Sequence, residues 1–487
     1  MASLEELRVE RIRKLTLLKE AGMSAYPART EAGIRVAEAL TNFETWSTEA
    51  KIITLAGRVL SLRGQGALIF CDLNDGTGKV QALLKTDTLG EGPLTLFNDT
   101  VDLGDFIEVT GTLFTTKRGE QTIEVSTWLM LTKALRPLPD KWHGLQDVEE
   151  KQRRRYLDIL LNPEARDLVE KRSKFWRVIR EFLLNKGFLE VDTPILENVA
   201  GGAEARPFVT HHHALDQDFY LRISSELWLK RLIIAGLPKV FEIGRIFRNE
   251  GLDAEHLQDY TQLEFYQAYA DYNEGMRLVT ELYREIADKT FGTQVFTING
   301  FGVDLSKDWP VYQYRDLILE KTGLDINKTD LAEMEAKLQA LGVNYDKKGF
   351  NLTRAMDNLW KYCRKDLAGP GFLIGVPVAL EPLAKRSEQD PNIVERFQVI
   401  LAGSELGKGF SELNDPLDQA ERFAEQAKLR EAGDEEAQMN DTDFVEALEY
   451  GMPPTCGFGL SERLFAFLAD KPIREAQIFP LLRPKEK

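Results

Sequence analysis

No run of about 18 uninterrupted apolar residues occurs anywhere in the chain, so no helical membrane span, and no membrane partner, is expected. The first residues, Met1 to Arg13, alternate charges instead of carrying the apolar stretch of an export signal. Cysteine is scarce. Cys71, Cys363 and Cys456 stand far apart without CxxC spacing, which removes a disulfide framework and a zinc ribbon and fits a reducing cytoplasm. Neither GxGxxG nor a GxxxxGKS/T phosphate loop occurs, and regular βαβ alternation is missing, so a Rossmann or P-loop nucleotide site is not expected. Internal repeats and low-complexity tracts are absent too. A net charge of -16 argues against a protein that coats nucleic acid by neutralising phosphates, and DNA is not an expected partner. A structured RNA stays open: Lys151, Arg153, Arg154 and Arg155, then Lys171 and Arg172, could meet phosphates or simply form solvated helix faces.

What is present is enough apolar material for more than one core. With 487 residues, 43% of them hydrophobic, two or three domains are expected. Leu4 to Ala21 mixes apolar and charged residues at helical spacing and stops at Gly22, as a surface leader helix would. Between Ile52 and Leu131, five β-rich runs separated by Gly and Asp turns predict a small closed barrel of OB type. The Pro-broken stretch Leu135 to Leu145 reads as a linker, and Asn162 to Lys186 as an amphipathic helix ending at Gly187. Beyond it, strands and helices mix irregularly.

Phe241 to Glu250 is strand-like, and alternation puts Glu242, Arg248 and Glu250 on one face. After the loop Gly251 to Asp259, a return strand from Tyr260 to Tyr269 sets Glu264 and Tyr266 on a common face. A cross-strand ion pair on an exposed sheet would explain Arg248 and Glu250 equally well. Three adjacent histidines, His211 to His213, lack a third ligand at metal spacing and read as a substrate-proximal loop.

Phe247, Arg248, Glu250, His256, Tyr260 and Glu264 resemble motif 2 of the class II aminoacyl-tRNA synthetases. Pro453 to Arg463 resembles motif 3 in a form one residue short, and Gly187 to Pro194 resembles motif 1. Over nearly its whole length the chain is similar to the bacterial-type lysyl-tRNA synthetases of subclass IIb, including Leu135 to Leu145, Gly201 to Phe208 and Gly409 to Asp415. The resemblance implies an α+β protein: an OB-fold barrel, then a class II catalytic domain of antiparallel sheet flanked by helices. It divides the chain into a helical leader (1–50), an anticodon-binding barrel (51–134), a linker (135–160) and a catalytic domain (161–487), with the motifs near 187–194, 241–266 and 457–468.

The implied activity is lysine-tRNA ligase: lysine and ATP give lysyl-adenylate and pyrophosphate, and lysine then passes to the 3′ end of tRNA(Lys). Attack of a carboxylate on a phosphate brings two anions together, so a fixed guanidinium is the chemistry required. By resemblance, Arg248 bridges carboxylate and α-phosphate, Glu250 contacts adenine, Tyr260 stacks on it, and His256 and Arg463 hold the outer phosphates. Gly202, Glu226 and Glu264 take the α-ammonium, Tyr266 and Glu412 the ε-ammonium, Phe410 lines the stem, and Lys408 replaces an asparagine beside the carboxylate. Glu405 matches a magnesium ligand, with Gln398 as a weak second donor. Arg58, Phe70, Gln81 and Glu120 match an anticodon-reading surface, and motif 1 implies a homodimer. The nearest rivals are an aspartyl- or asparaginyl-tRNA synthetase and a non-charging paralogue.

Overall fold

The computed structural model describes residues 3–65, 67–139, 147–251, 257–347 and 350–485. The chain divides into two compact units, Met1–Gln146 and Asp147–Lys487.

In the first unit, strands β1 (Ile52–Gln65), β2 (Leu68–Asn74), β3 (Lys79–Lys85), β4 (Phe106–Thr115) and β5 (Gln121–Thr132) close a barrel in the order β1-β2-β3-β5-β4. Burial alternates along β2, with Ile69, Cys71 and Leu73 inside and Phe70 and Asp72 on the outer face. Gly111 sits at a break in β4–β5 register, where a Cβ would come 1.9 Å from the Glu124 carbonyl. Helix α1 (Leu4–Glu20) starts on a Ser3–Glu6 capping box. Its Leu18 is fully buried with the barrel core, and buried Arg11 donates to the carbonyls of Leu103 and Ala134.

The expected linker is extended only in part. Residues 140–146 lie outside the described residues, and 148–161 form two short helices, Val148–Arg153 and Arg155–Leu161, within the second unit. The basic run there pairs internally, Arg153 with Glu149 and Arg155 with Asp158, while Lys171 pairs with Asp167 and Arg172 with Glu462.

The second unit is built on an eight-stranded sheet. Its strands are β6 (Leu189–Glu190), β7 (Lys239–Phe247), β8 (Asp259–Ala268), β9 (Val311–Gln313), β10 (Gly371–Ile374), β11 (Arg396–Leu401), β12 (Ser404–Ser411) and β13 (Thr455–Ser461), ordered β9-β10-β11-β12-β13-β8-β7-β6. The six inner strands are antiparallel and each edge strand pairs parallel. One face buries Leu263, Phe265, Phe397, Phe458 and Leu460 in a core shared with the helix Tyr272–Ile286, which lies against β11, β12 and β13, and with helix α2 (Pro163–Asn185), whose Phe175, Ile179 and Leu183 are fully covered. The opposite face is lined by the residues that alternate with these. It opens into a cavity of about 540 Å³.

Candidate active site

Sheet register, more than any single motif, builds the site. Glu264 on β8 lies opposite Gly459 on β13, which lies opposite Lys408 on β12, which lies opposite Gln398 on β11. One step along, Tyr266, Gly457, Phe410 and Arg396 form a second row on the same face. The two glycines leave the space that the long side chains use. A Cβ on Gly457 would come 2.2 Å from Glu412 Oε1 and 2.4 Å from the Tyr266 ring.

Glu264 is buried and fully satisfied: Ser224 Oγ donates at 2.7 Å, Gln262 Nε2 at 2.6 Å and the Tyr266 hydroxyl at 3.2 Å. Ser225 begins helix α3 (Glu226–Ile234), and Glu226 in its first turn is held from one turn on by Lys230, whose Nζ stands 2.6 Å away. Lys230 is wholly buried and also ion-pairs with Glu412. Glu412 is 1% exposed; Lys230 meets its Oε2, and its Oε1 receives no hydrogen bond from the described residues. Burial pushes the Glu226 carboxyl up to about 6 against the pull of Lys230, and drives that of Glu412 well above the usual range. Gly202, at φ +83°, borders this corner; a Cβ would press on Ser224 and Glu226 at 3.0 Å.

Arg248 lines the cavity, its Nε donating to the Ile223 carbonyl at 3.3 Å and its guanidinium 5.8 Å from the Tyr260 ring centroid. Tyr260 is buried there and its hydroxyl is pushed up to about 12, mainly by burial. Arg463 opens helix α5 (Arg463–Leu468), reaches Ser404 Oγ at 3.5 Å and also lines the cavity. The two arginines thus border one cavity, as transfer between anionic groups requires. Helix α4 (Leu352–Cys363) closes another side with Arg354, Asp357 and Trp360.

Several expected residues sit differently. The first motif 2 strand stops at Phe247, not Glu250, and half-buried Glu250 lies outside the cavity lining, acting on Tyr260 only through its charge. Glu242 turns away to a buried pair with Arg222 and a hydrogen bond from Thr193 of motif 1. His256 falls outside the described residues. The three histidines belong to an exposed hairpin, Val209–His212 against Gln217–Leu221, with His211 Nδ1 2.8 Å from Asp218; none lines the cavity. Lys408 does line it, but Nζ is held by Glu381 at 2.9 and 3.2 Å. Burial disfavours the Glu381 carboxylate, yet Lys408 and Arg396 outweigh it and keep its pKa below the ordinary value.

Metal donors are few. Glu405 lines the cavity and accepts from Trp360 Nε1, while the Gln398 amide oxygen accepts from Arg396 and faces Lys408 across the strand pair. Among the described residues no group of three or more His, Cys, Asp or Glu could hold a metal ion. One carboxylate suits magnesium that arrives on phosphates with its own waters, whereas Gln398 beside two cations does not suit a second ion.

On the barrel, Phe70 is half-buried on the outer face and not in the core. Its strand neighbour Asp72 lies opposite Gln81, whose Oε1 accepts from Thr122, and Thr122 also donates to the Glu120 carbonyl. These three residues share one patch. Arg58 does not join them: it faces Asn74, donates to the Gly104 carbonyl and sits 4.2 Å from the Phe106 ring. The cation directly opposite Phe70 is Arg63, exposed and paired with Asp72 at 3.0 Å, which sequence reasoning passed over. Lys230 and Glu381 were passed over as well. The Glu226–Lys230 spacing of one helical turn was the available signal for the first; nothing local marked the second.

Residues 147–483 match the family model described as tRNA synthetases class II (D, K and N), and residues 53–131 match the OB-fold nucleic acid binding domain. A lysine–tRNA ligase of Thermotoga maritima is 45% identical over 99% of this chain and 97% of its own length. Those of Roseiflexus castenholzii and Moorella thermoacetica are each 44% identical over 99% of this chain and 100% and 99% of their own. The chain belongs to the class II tRNA synthetases of the aspartate, lysine and asparagine group and carries an OB-fold nucleic-acid-binding domain ahead of the synthetase domain.

Proposed function

We propose that the chain is a lysine-tRNA ligase, activating lysine with ATP to lysyl-adenylate and passing it to the 3′ end of tRNA(Lys). The observation that carries this reading is Glu412, a buried carboxylate beside Tyr266 and Phe410, with Lys230 on its Oε2 and no hydrogen bond from the described residues on its Oε1. A second ammonium is the donor that this remaining oxygen lacks. Lys408, the residue that favours an acidic substrate, is neutralised by Glu381. The full-length similarity to lysine–tRNA ligases supports the same substrate.

In this reading Glu226 and Glu264 take the α-ammonium beside Gly202, Glu412 and Tyr266 take the ε-ammonium, and Phe410 covers the stem. Arg248 spans the lysine carboxylate and the α-phosphate of ATP. It screens their mutual repulsion and stabilises charge as the carboxylate oxygen bonds to phosphorus and pyrophosphate leaves. Tyr260 offers its ring to adenine, with Glu250 and His256 expected nearby, and Arg463 anchors the outer phosphates. Glu405 would hold a magnesium ion borne by ATP, which neutralises phosphate charge. Phe70, Gln81 and Glu120 form the anticodon surface by stacking and hydrogen bonding. The apolar side chains exposed around motif 1, Leu189, Ile195 and Leu196, support a homodimer through that segment, and three buried free cysteines support a reducing cytoplasmic setting.

Lysine-dependent exchange of labelled pyrophosphate into ATP, run with each of the twenty amino acids, tests the reading. Exchange driven by aspartate or asparagine, or none at all, overturns it. Sedimentation of the purified chain as a monomer at working concentration would refute the dimer.

A further inference from the structure

Lys230 is wholly buried behind the acidic corner of the cavity, in contact with carboxylates that line it, and the reaction scheme leaves it without a task. Its ammonium is wholly shielded from solvent, 2.6 Å from Glu226 Oε1 and in ion-pair contact with Glu412. Its Nζ lies 5.4 Å from the Phe410 ring centroid and 5.8 Å from that of Phe444. Those two carboxylates come from distant parts of the chain, a helix N-terminus and the segment after β12. Lys230 joins them.

The charges around this ammonium are few. On its own helix stand Glu226 and Arg231, the latter committed to Asp441. Strand β8 contributes Glu264 and the Tyr266 hydroxyl, the β12 segment contributes Lys408 and Glu412, and the 378–381 turn contributes Glu381, itself taken by Lys408 and Arg396. Glu264 is satisfied by neutral donors. Three carboxylates facing one ammonium leave two negative charges unbalanced, and free lysine brings two ammonium groups.

We infer that Lys230 is a positioning residue for amino acid selection: it holds Glu226 and Glu412 ionised in a dry site and fixes the pocket at a charge that fits a doubly cationic ligand. Without it, three carboxylates crowd one buried corner and like charges cannot all persist there, so protons replace the missing cation. A protonated carboxyl accepts an ammonium poorly. The raised carboxyls of Glu226 and Glu412 show how near that limit the corner already is.

The inference rests on the lysine-ligase reading, and the test separates the two. Lysine-dependent pyrophosphate exchange is measured from pH 5.5 to 8.5 for the full chain and for Lys230→Met. The expected result is an acid limb of kcat/KM for lysine moved up by about one pH unit or more. At pH 6.5 the lysine KM then rises about tenfold or more, with recovery toward the parent value at pH 8.5 and an unchanged KM for ATP. Lys230→Gln, which keeps hydrogen-bond donors but no charge, should move the limb in the same direction, and it asks the same question if the methionine chain does not fold. A loss equal at every pH, or a Gln variant with the parent profile, overturns the inference, since a merely space-filling lysine would behave so. A parent protein whose exchange does not depend on lysine would overturn the ligase reading itself.

Discussion

Glu412→Gln keeps the shape of the proposed ε-ammonium site and removes its charge. The carboxylate is 1% exposed, so solvent screens it little. A hydrogen bond to a charged partner contributes about 1.5–3 kcal/mol, and removing one member of a buried pair costs about 2–5 kcal/mol. Glutamine still offers an acceptor, which places the loss near the lower part of that range, about 2–3 kcal/mol. Lys230, released from one of its two partners, adds repulsion of the same sign. At about 1.4 kcal/mol per tenfold, kcat/KM for lysine should fall by about 30- to 150-fold. The KM for ATP, whose proposed contacts Arg248 and Arg463 lie elsewhere on the cavity wall, should stay within about twofold of the parent. Thermal unfolding should move little, because burial already disfavours this carboxylate and Lys230 keeps Glu226. Pyrophosphate exchange with lysine varied at saturating ATP reads the effect. A lysine kcat/KM within about threefold of the parent would refute the pocket assignment, since no charge contact of the stated kind could then exist.

Lowering pH should weaken lysine before it weakens ATP. Protonation removes the ammonium acceptor, so the lysine KM should climb as pH falls through about 6, where burial has placed the Glu226 carboxyl, and a flat profile between 5 and 7 would refute this. Gly457→Ala drives a methyl group to 2.2 Å from Glu412 Oε1 and 2.4 Å from the buried Tyr266 ring, so lysine use should fall about tenfold or more while the protein still binds ATP, as titration with the nucleotide would show. On the barrel, Phe70→Ala should raise the KM for tRNA by about tenfold, as loss of a stacked base would, and leave tRNA-independent exchange intact. Arg63→Met should weaken tRNA binding more than Arg58→Met; the reverse order in a filter-binding titration would count against the register argument.

Local pattern announced the elements that carry their own signal. The five barrel strands alternate visibly and end on Gly and Asp turns, the α2 helix starts at Pro163 and gives way at Gly187, and the β7–β8 hairpin follows from its β-rich runs. Arg248 and Arg463, expected from the motif resemblance, both border the cavity. The placements that failed depend on exact ends and neighbours. The β7 strand ends at Phe247, which sends Glu250 out of the cavity lining, and Glu242 found a partner in Arg222 that no spacing reveals. Arg58 and Arg63 are both basic residues on one strand, and only the pairing of β1 with β2 decides which stands opposite Phe70.

The sequence by itself determined the two kinds of domain, the strand–loop–strand holding Arg248, and the surplus of carboxylates in the chain's second half. Those features rest on periodicity, turn residues and residue chemistry, all local. Tertiary structure alone decided that Glu264, Gly459, Lys408 and Gln398 form one row across four strands and that Tyr266, Gly457, Phe410 and Arg396 form the next. It alone brought Lys230 between Glu226 and Glu412 and Glu381 onto Lys408. Charge in a buried pocket is a sum over groups far apart in the chain, and that sum exists only once the sheet has set its register.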